Sequence, residues 1–124
     1  MRLEDLEKVL LSSLNEFLDS CSGICRSDIP FVPTLSIHSV LDGCSQCLLR
    51  NLMDVVEVKS INIVLMDGSY LEFFRLDDAV IELGSDVAYI MPLEEFIGRV
   101  SELREFNMVS DEDAEVLINW FNSG

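Results

Sequence analysis

The sequence predicts an α+β domain: an antiparallel β meander of three to five strands packed by helices, in the order α-β-α-β-β-β-(β)-α-α. Three observations carry this. Four segments place apolar residues at three- and four-residue steps, the spacing that lines one face of a helix. Between them, residues 58–91 switch to short apolar runs separated by Asp67-Gly68, Asp77-Asp78 and Gly84-Ser85-Asp86, which are turn signals. A chain of 124 residues with 49% hydrophobic content suits one domain, residues 1–124, and is too apolar for disorder.

Leu3, Leu6, Leu10, Leu14, Phe17, Leu18 and Cys21 share a helical face, and Gly23 marks the end of that first helix. Gly23, Pro30 and Pro33 make residues 22–35 a loop or irregular edge. Thr34 to Val40 is alternating enough for a short strand. Ser39 or Asp42 caps a second helix with Leu41, Cys44, Leu48, Leu52 and Val55 on one face and Cys47 beside them. Ile61–Met66 and Ser69–Arg75 form a hairpin across a two-residue Asp67-Gly68 turn, which needs positive φ at both central positions. Ala79–Leu83 and Val87–Met91 continue the meander, whose apolar density predicts helices over one of its faces. Pro92 opens a third helix, buried through Leu93, Phe96, Ile97, Val100 and Leu103 and stopped near Asn107. Ser110 caps a fourth by accepting from the Asp113 N–H, with Asp113 reaching back. Its inner face is Ala114, Leu117, Ile118 and Phe121, widened by Val116 and Trp120.

The net charge is -15, and it is unevenly placed. Residues 1–60 carry nine acids and five bases; residues 61–124 carry fourteen acids and three bases, Arg75, Arg99 and Arg104. So few cations argue against direct binding to nucleic acid and against adsorption on anionic lipid. Asp111, Glu112 and Asp113 have a local cause, since they sit at the positive end of a helix dipole. The chain starts charged, without the apolar core of a signal peptide, and no apolar run approaches the roughly 20 residues that span a bilayer. The expected location is cytoplasmic.

Cys21 and Cys25, then Cys44 and Cys47, stand in a C-x3-C and C-x2-C arrangement. Two such chelating pairs are the pattern of a tetrahedral zinc site, although neither pair carries the glycine-bearing turn of a zinc knuckle. The same residues also fit disulfides between the end of the first helix and the second helix, which would imply an oxidising setting. The bland reading, small buried hydrophobes packed between helices, stands beside both. Cys44-Ser45-Gln46-Cys47 opens a helix, where the dipole favours a thiolate, so a thiol oxidoreductase is a further reading. His38 is the sole histidine, and neither Ser36 nor Ser39 beside it has an acid placed by the sequence to complete a nucleophilic triad. No phosphate-binding loop, dinucleotide fingerprint, zinc-protease or calcium-loop motif occurs. No cofactor is implied apart from that zinc, and nothing singles out a catalytic group.

The stretch from Val58 to Leu65, continuing through Arg75-Leu76-Asp77-Asp78-Ala79-Val80-Ile81, together with the order of elements, resembles the Roadblock/dynein light chain family. The likeness covers residues 1–106 and rests on patterning. It departs where Pro30 and Pro33 interrupt the expected strand pair, and where the Val87–Met91 strand and the helix from Ser110 are extra. The resemblance implies a non-catalytic module that dimerises through edge strands or helices and binds proteins such as small GTPases or motor components. It carries no functional residue across.

The leading expectation is therefore a small non-enzymatic subunit whose partner is a protein, its own second copy included. The alternatives are a zinc-stabilised module on Cys21, Cys25, Cys44 and Cys47, a thiol-disulfide oxidoreductase using Cys44 and Cys47, and an acidic decoy for a nucleic-acid-binding protein.

Overall fold

A computed structural model describes residues 1–25, 35–41, 43–85 and 88–123. Helices α1 (Leu3–Ser12), α2 (Leu14–Ser20) and α3 (Gly43–Val55) precede strands β1 (Lys59–Val64), β2 (Tyr70–Arg75), β3 (Ala79–Gly84) and β4 (Ala88–Pro92). A 3₁₀ turn at Leu93–Glu95 leads into α4 (Phe96–Glu105), and α5 (Asp111–Asn122) closes the fold. The strands form one antiparallel sheet in the order β1-β2-β3-β4. This is the α+β meander expected from the sequence.

The first helix is divided rather than continuous. Ser13 adopts φ -113 and ψ 15 between α1 and α2, while the Ser12 hydroxyl donates to the Val9 carbonyl. Adjacent serines offer the backbone such side-chain alternatives, which bend helices. The hairpin also differs from expectation. Leu65 pairs with Ser69 across a three-residue loop, Gly68 donates to the Leu65 carbonyl, and only Gly68 (φ +88) has positive φ in that loop. This is a type I turn followed by a left-handed glycine. Asp67 keeps its usual backbone conformation and instead accepts from the Ser69 N–H and hydroxyl.

Helices cover both faces of the sheet, not one. Phe74, Ala79, Ile81, Leu83, Ala88 and Ile90 pack under α1–α3. Ile63, Leu71, Phe73, Val80 and Met91 pack under α4 and α5. Successive strand residues point to opposite faces, so β3, buried at every position, serves both layers. Within α3 the buried positions are Leu48, Leu49, Leu52 and Met53, while Val55 faces solvent. Pro92 ends β4 opposite Ala79 instead of opening α4, and Ile97 and Val116 lie at the surface. Asn107 does stop α4, in the left-handed region at φ +57. The Asp77-Asp78 turn does more than reverse the chain: Asp78 accepts from the Leu3 N–H at the start of α1. Thr34, Asp42, Asp86 and Val87, where part of the strand, cap and turn expectations fall, lie outside the described residues, as do Pro30 and Pro33.

Candidate functional site: an open sheet edge and a cysteine ladder

The two edges of the sheet are treated differently. Beside β4 runs the segment Leu35–Leu41. Its His38 N–H donates to Ile90, Ile90 donates to Ser39, and Leu41 donates to Ala88, with Val40 bridging Tyr89. The sequence predicts a strand here. The structure gives a single bridge, because His38 takes φ +68 and turns the chain. That edge is nevertheless covered.

The β1 edge is different. Leu65 pairs with Ser69, so the ladder alternation directs the N–H and C=O of Ile61 and Ile63 toward β2. The same groups of Ser60, Asn62 and Val64 point outward, and no described strand pairs with them. The side chains of these three residues lie on the α3 side, and all three are exposed, Val64 by 55%. The α1–α3 layer packs on β3, β4 and Phe74 of β2, and its buried cluster includes no β1 residue. What remains is a shallow groove of about 500 Å³ lined by Arg50, Asn62, Ser69, Tyr70, Glu72, Leu83, Gly84 and Ser85. Arg50 donates to the Gly84 carbonyl at one end of it. Burial and the nearby Asp54 carboxylate push the Glu72 carboxyl above its ordinary value, although Arg50 opposes them. Val64, Met66 and Tyr70 place exposed apolar surface along the same rim.

Sequence periodicity carries a signal for this surface. In β1, Ile61 and Ile63 alternate with Ser60 and Asn62, which marks a strand covered on one side. Nothing in the sequence says which edge stays open, because that depends on where residues 35–41 lie.

The four cysteines converge. Cys21 bonds to Cys47 and Cys25 to Cys44, with Cα separations of 6.0 and 4.8 Å. The disulfide reading places the bridges between the end of the first helix and the second, and that is where they are. Cys44 and Cys47 belong to separate bridges, so the C-x2-C motif does not close on itself as a redox-active pair would. In this oxidised form no group of three or more His, Cys, Asp or Glu among the described residues is set to hold a metal.

His38 has an acid after all. Glu95 Oε1 lies 3.3 Å from its Nδ1 and the Tyr89 hydroxyl 3.0 Å from the same nitrogen, and that hydroxyl donates to Glu95 Oε2. Glu95 is distant in sequence, so spacing gave no hint of it. The group is exposed, with 59% of the His38 side chain accessible, and the Ser39 hydroxyl is bonded to that of Ser36 at 2.6 Å. The contacts fasten residues 36–41 to β4 and the 3₁₀ turn.

Comparison with family models, with curated proteins and with solved structures found no match.

Proposed function

We propose that this chain is a non-enzymatic interaction module that pairs with a second copy of itself through β1. The β1 edge, which no described strand pairs with, is the observation that carries the reading. Natural edges are blunted by proline, lysine, bulges or a covering segment. The β4 edge has a cover, whereas β1 has no proline, and its only charge is Lys59. That ammonium is turned away to the Trp120 carbonyl of α5 and the Ser123 hydroxyl just past its end.

Charge favours a second copy at this place. Two chains of net charge -15 repel over most of their surface. Between Glu57 and Asp67, however, the sequence carries one positive charge and no acid. Antiparallel pairing about a two-fold axis near Asn62 would set Ser60 against Val64 and Asn62 against itself, with no like charges opposed on the strand. The resemblance to Roadblock/dynein light chain domains points to the same behaviour. The paired cysteines favour an oxidising setting, and in a reducing cytoplasm the same four residues would be thiols.

Light scattering during size-exclusion chromatography tests this. The expected mass at micromolar concentration is twice 14.0 kDa. Val64→Lys puts a charge at an exposed edge position without touching the core, and it should give a folded monomer. A monomeric unaltered chain overturns the proposal, and so does a Val64→Lys variant that stays dimeric.

A further inference from the structure

The cysteines form a ladder. Cys21 faces Cys47 on one rung and Cys25 faces Cys44 on the other. Along one rail, the Cys25 N–H donates to the Cys21 carbonyl at 2.8 Å, closing a single helical turn. Along the other, Cys44 and Cys47 are three residues apart in α3. Residues so spaced on a helix hold their Cβ atoms about 5–6 Å apart. All four Cβ atoms thus gather around one point. Four sulfurs bound to one zinc at about 2.3 Å form a tetrahedron with edges of about 3.8 Å. Rotation about χ1 brings thiols on such a ladder to those corners.

The surroundings suit a negatively charged cluster. Four thiolates around one zinc carry a net charge of 2-. Cys44 is the second residue of α3, where the helix dipole is positive. Asn51 Nδ2 donates to Cys21 Sγ at 3.3 Å and to Cys47 Sγ at 3.8 Å, and its contact with the Cys47 carbonyl at 2.9 Å holds it in place. Amide donors of this kind orient and stabilise metal-bound sulfur. A cavity of about 460 Å³ lined by Ile24, Gly43, Gln46, Cys47, Arg50 and Ser85 reaches Cys47, giving a small reductant an approach to the Cys21–Cys47 bridge.

We infer that Cys21, Cys25, Cys44 and Cys47 form a redox-gated zinc site, holding one Zn²⁺ when reduced and two disulfides when oxidised. Two molecules of a dithiol reductant, one for each disulfide, each pass two electrons and two protons to it and are themselves oxidised to cyclic disulfides. Four thiols result. Zinc then binds as the four thiol protons pass to solvent. In the reverse direction two molecules of a small disulfide oxidant each take two electrons from one thiolate pair, two sulfur–sulfur bonds form, and zinc leaves. Either state ties α2 to α3, so the fold is held in both reducing and oxidising surroundings.

The test uses the full chain, reduced with dithiothreitol, freed of it by anaerobic gel filtration and exposed to Zn²⁺ or Co²⁺. The reduced chain should retain one zinc per chain by elemental analysis, and the Co²⁺ form should show thiolate-to-metal charge transfer with tetrahedral ligand-field bands. Glutathione disulfide should then release the zinc and lower the protein mass by four hydrogens. Asn51→Ala should keep the stoichiometry while weakening zinc affinity about tenfold. If the reduced chain loses helix signal without metal, zinc should restore it. A reduced chain that retains no zinc, octahedral Co²⁺ bands, or zinc binding that survives Cys25→Ser and Cys44→Ser together would each overturn the inference.

Discussion

On one side of the sheet, α1–α3 meet it mainly through aliphatic side chains, with Leu6, Leu10, Leu48 and Leu52 fully buried near Ile81 and Ile90 and, among the described residues, only Phe17 and Phe74 as rings, and two disulfides join the end of α2 to α3. On the other side, α4 and α5 meet it through aromatics. Phe96 packs edge-on to Phe73 at 5.3 Å and Trp120 at 5.7 Å, and it stacks on Phe121 at 4.7 Å. Arg75 lies over the Phe121 ring, and Arg99 forms a bidentate pair with the buried Glu82, tying α4 to β3. Connection length explains why one layer is cross-linked and the other is not. Ser20 at the end of α2 and Gly43 at the start of α3 are far apart in sequence, and α1 and α2 are too short to persist alone. Between Glu105 and Asp111 the chain turns within a few residues, stopped by Asn107 and restarted by Ser110. A bridge across that connector would remove little entropy from the unfolded chain, whereas the Cys21–Cys47 bridge, across a sequence separation of 26, removes more.

The largest effect should come from the layer without a covalent tie. Phe96 is fully buried and touches three other rings. Phe96→Ala should cost about 3–5 kcal/mol, from lost burial and the cavity left behind. Urea unfolding followed by circular dichroism measures it. A loss below 1 kcal/mol would mean that the aromatic cluster does not hold this layer.

Reducing both disulfides in the presence of a metal chelator should come next. The outer bridge closes a separation of 26 residues and is worth about 3.5 kcal/mol in the loop-entropy picture. The inner bridge adds less, because the outer one has already brought its ends together. Hydrogen exchange should show the loss concentrated in α2 and α3, while the amides of α5 keep their protection until global unfolding. Uniform loss across both layers would make the two layers one cooperative unit.

How legible the two layers were in the sequence follows from the range of their interactions. The meander could be read because hairpins are local, though the Asp67-Gly68 turn is one residue longer than expected; the Ser110 cap and the Asn107 stop likewise lie within a few residues of the helices they bound. Double coverage of the sheet was harder to see. The run Ala79-Val80-Ile81-Glu82-Leu83-Gly84 is interrupted by a carboxylate that reads as solvent-facing, and only the fold reveals Arg99 waiting for it. Four cysteines allow three pairings, and choosing among them needs the distance between helices, which no spacing supplies. The open β1 edge was half legible: Ser60 and Asn62 show which face lacks cover, but the covering of the opposite edge by residues 35–41 is a tertiary fact.

The smallest effect sharpens the contrast, because it tests whether α5 is fixed locally. The Ser110 hydroxyl accepts from the Asp113 N–H at 3.1 Å, satisfying a donor that the first helical turn would otherwise leave open. Asp111, Glu112 and Asp113 add a favourable charge at the same end. Ser110→Ala should therefore cost about 1 kcal/mol, and Ser110→Asp should restore most of it, since aspartate is an equally good cap. Both are readable as shifts in the urea midpoint with the slope unchanged. Coupling distinguishes a local cap from a cooperative one. Combined with reduction of the disulfides, a local cap gives additive losses, because the two sites lie in different layers with no shared partner. A double perturbation well beyond the sum would show that the sheet transmits order from one layer to the other, and that the staple on α3 also steadies α5.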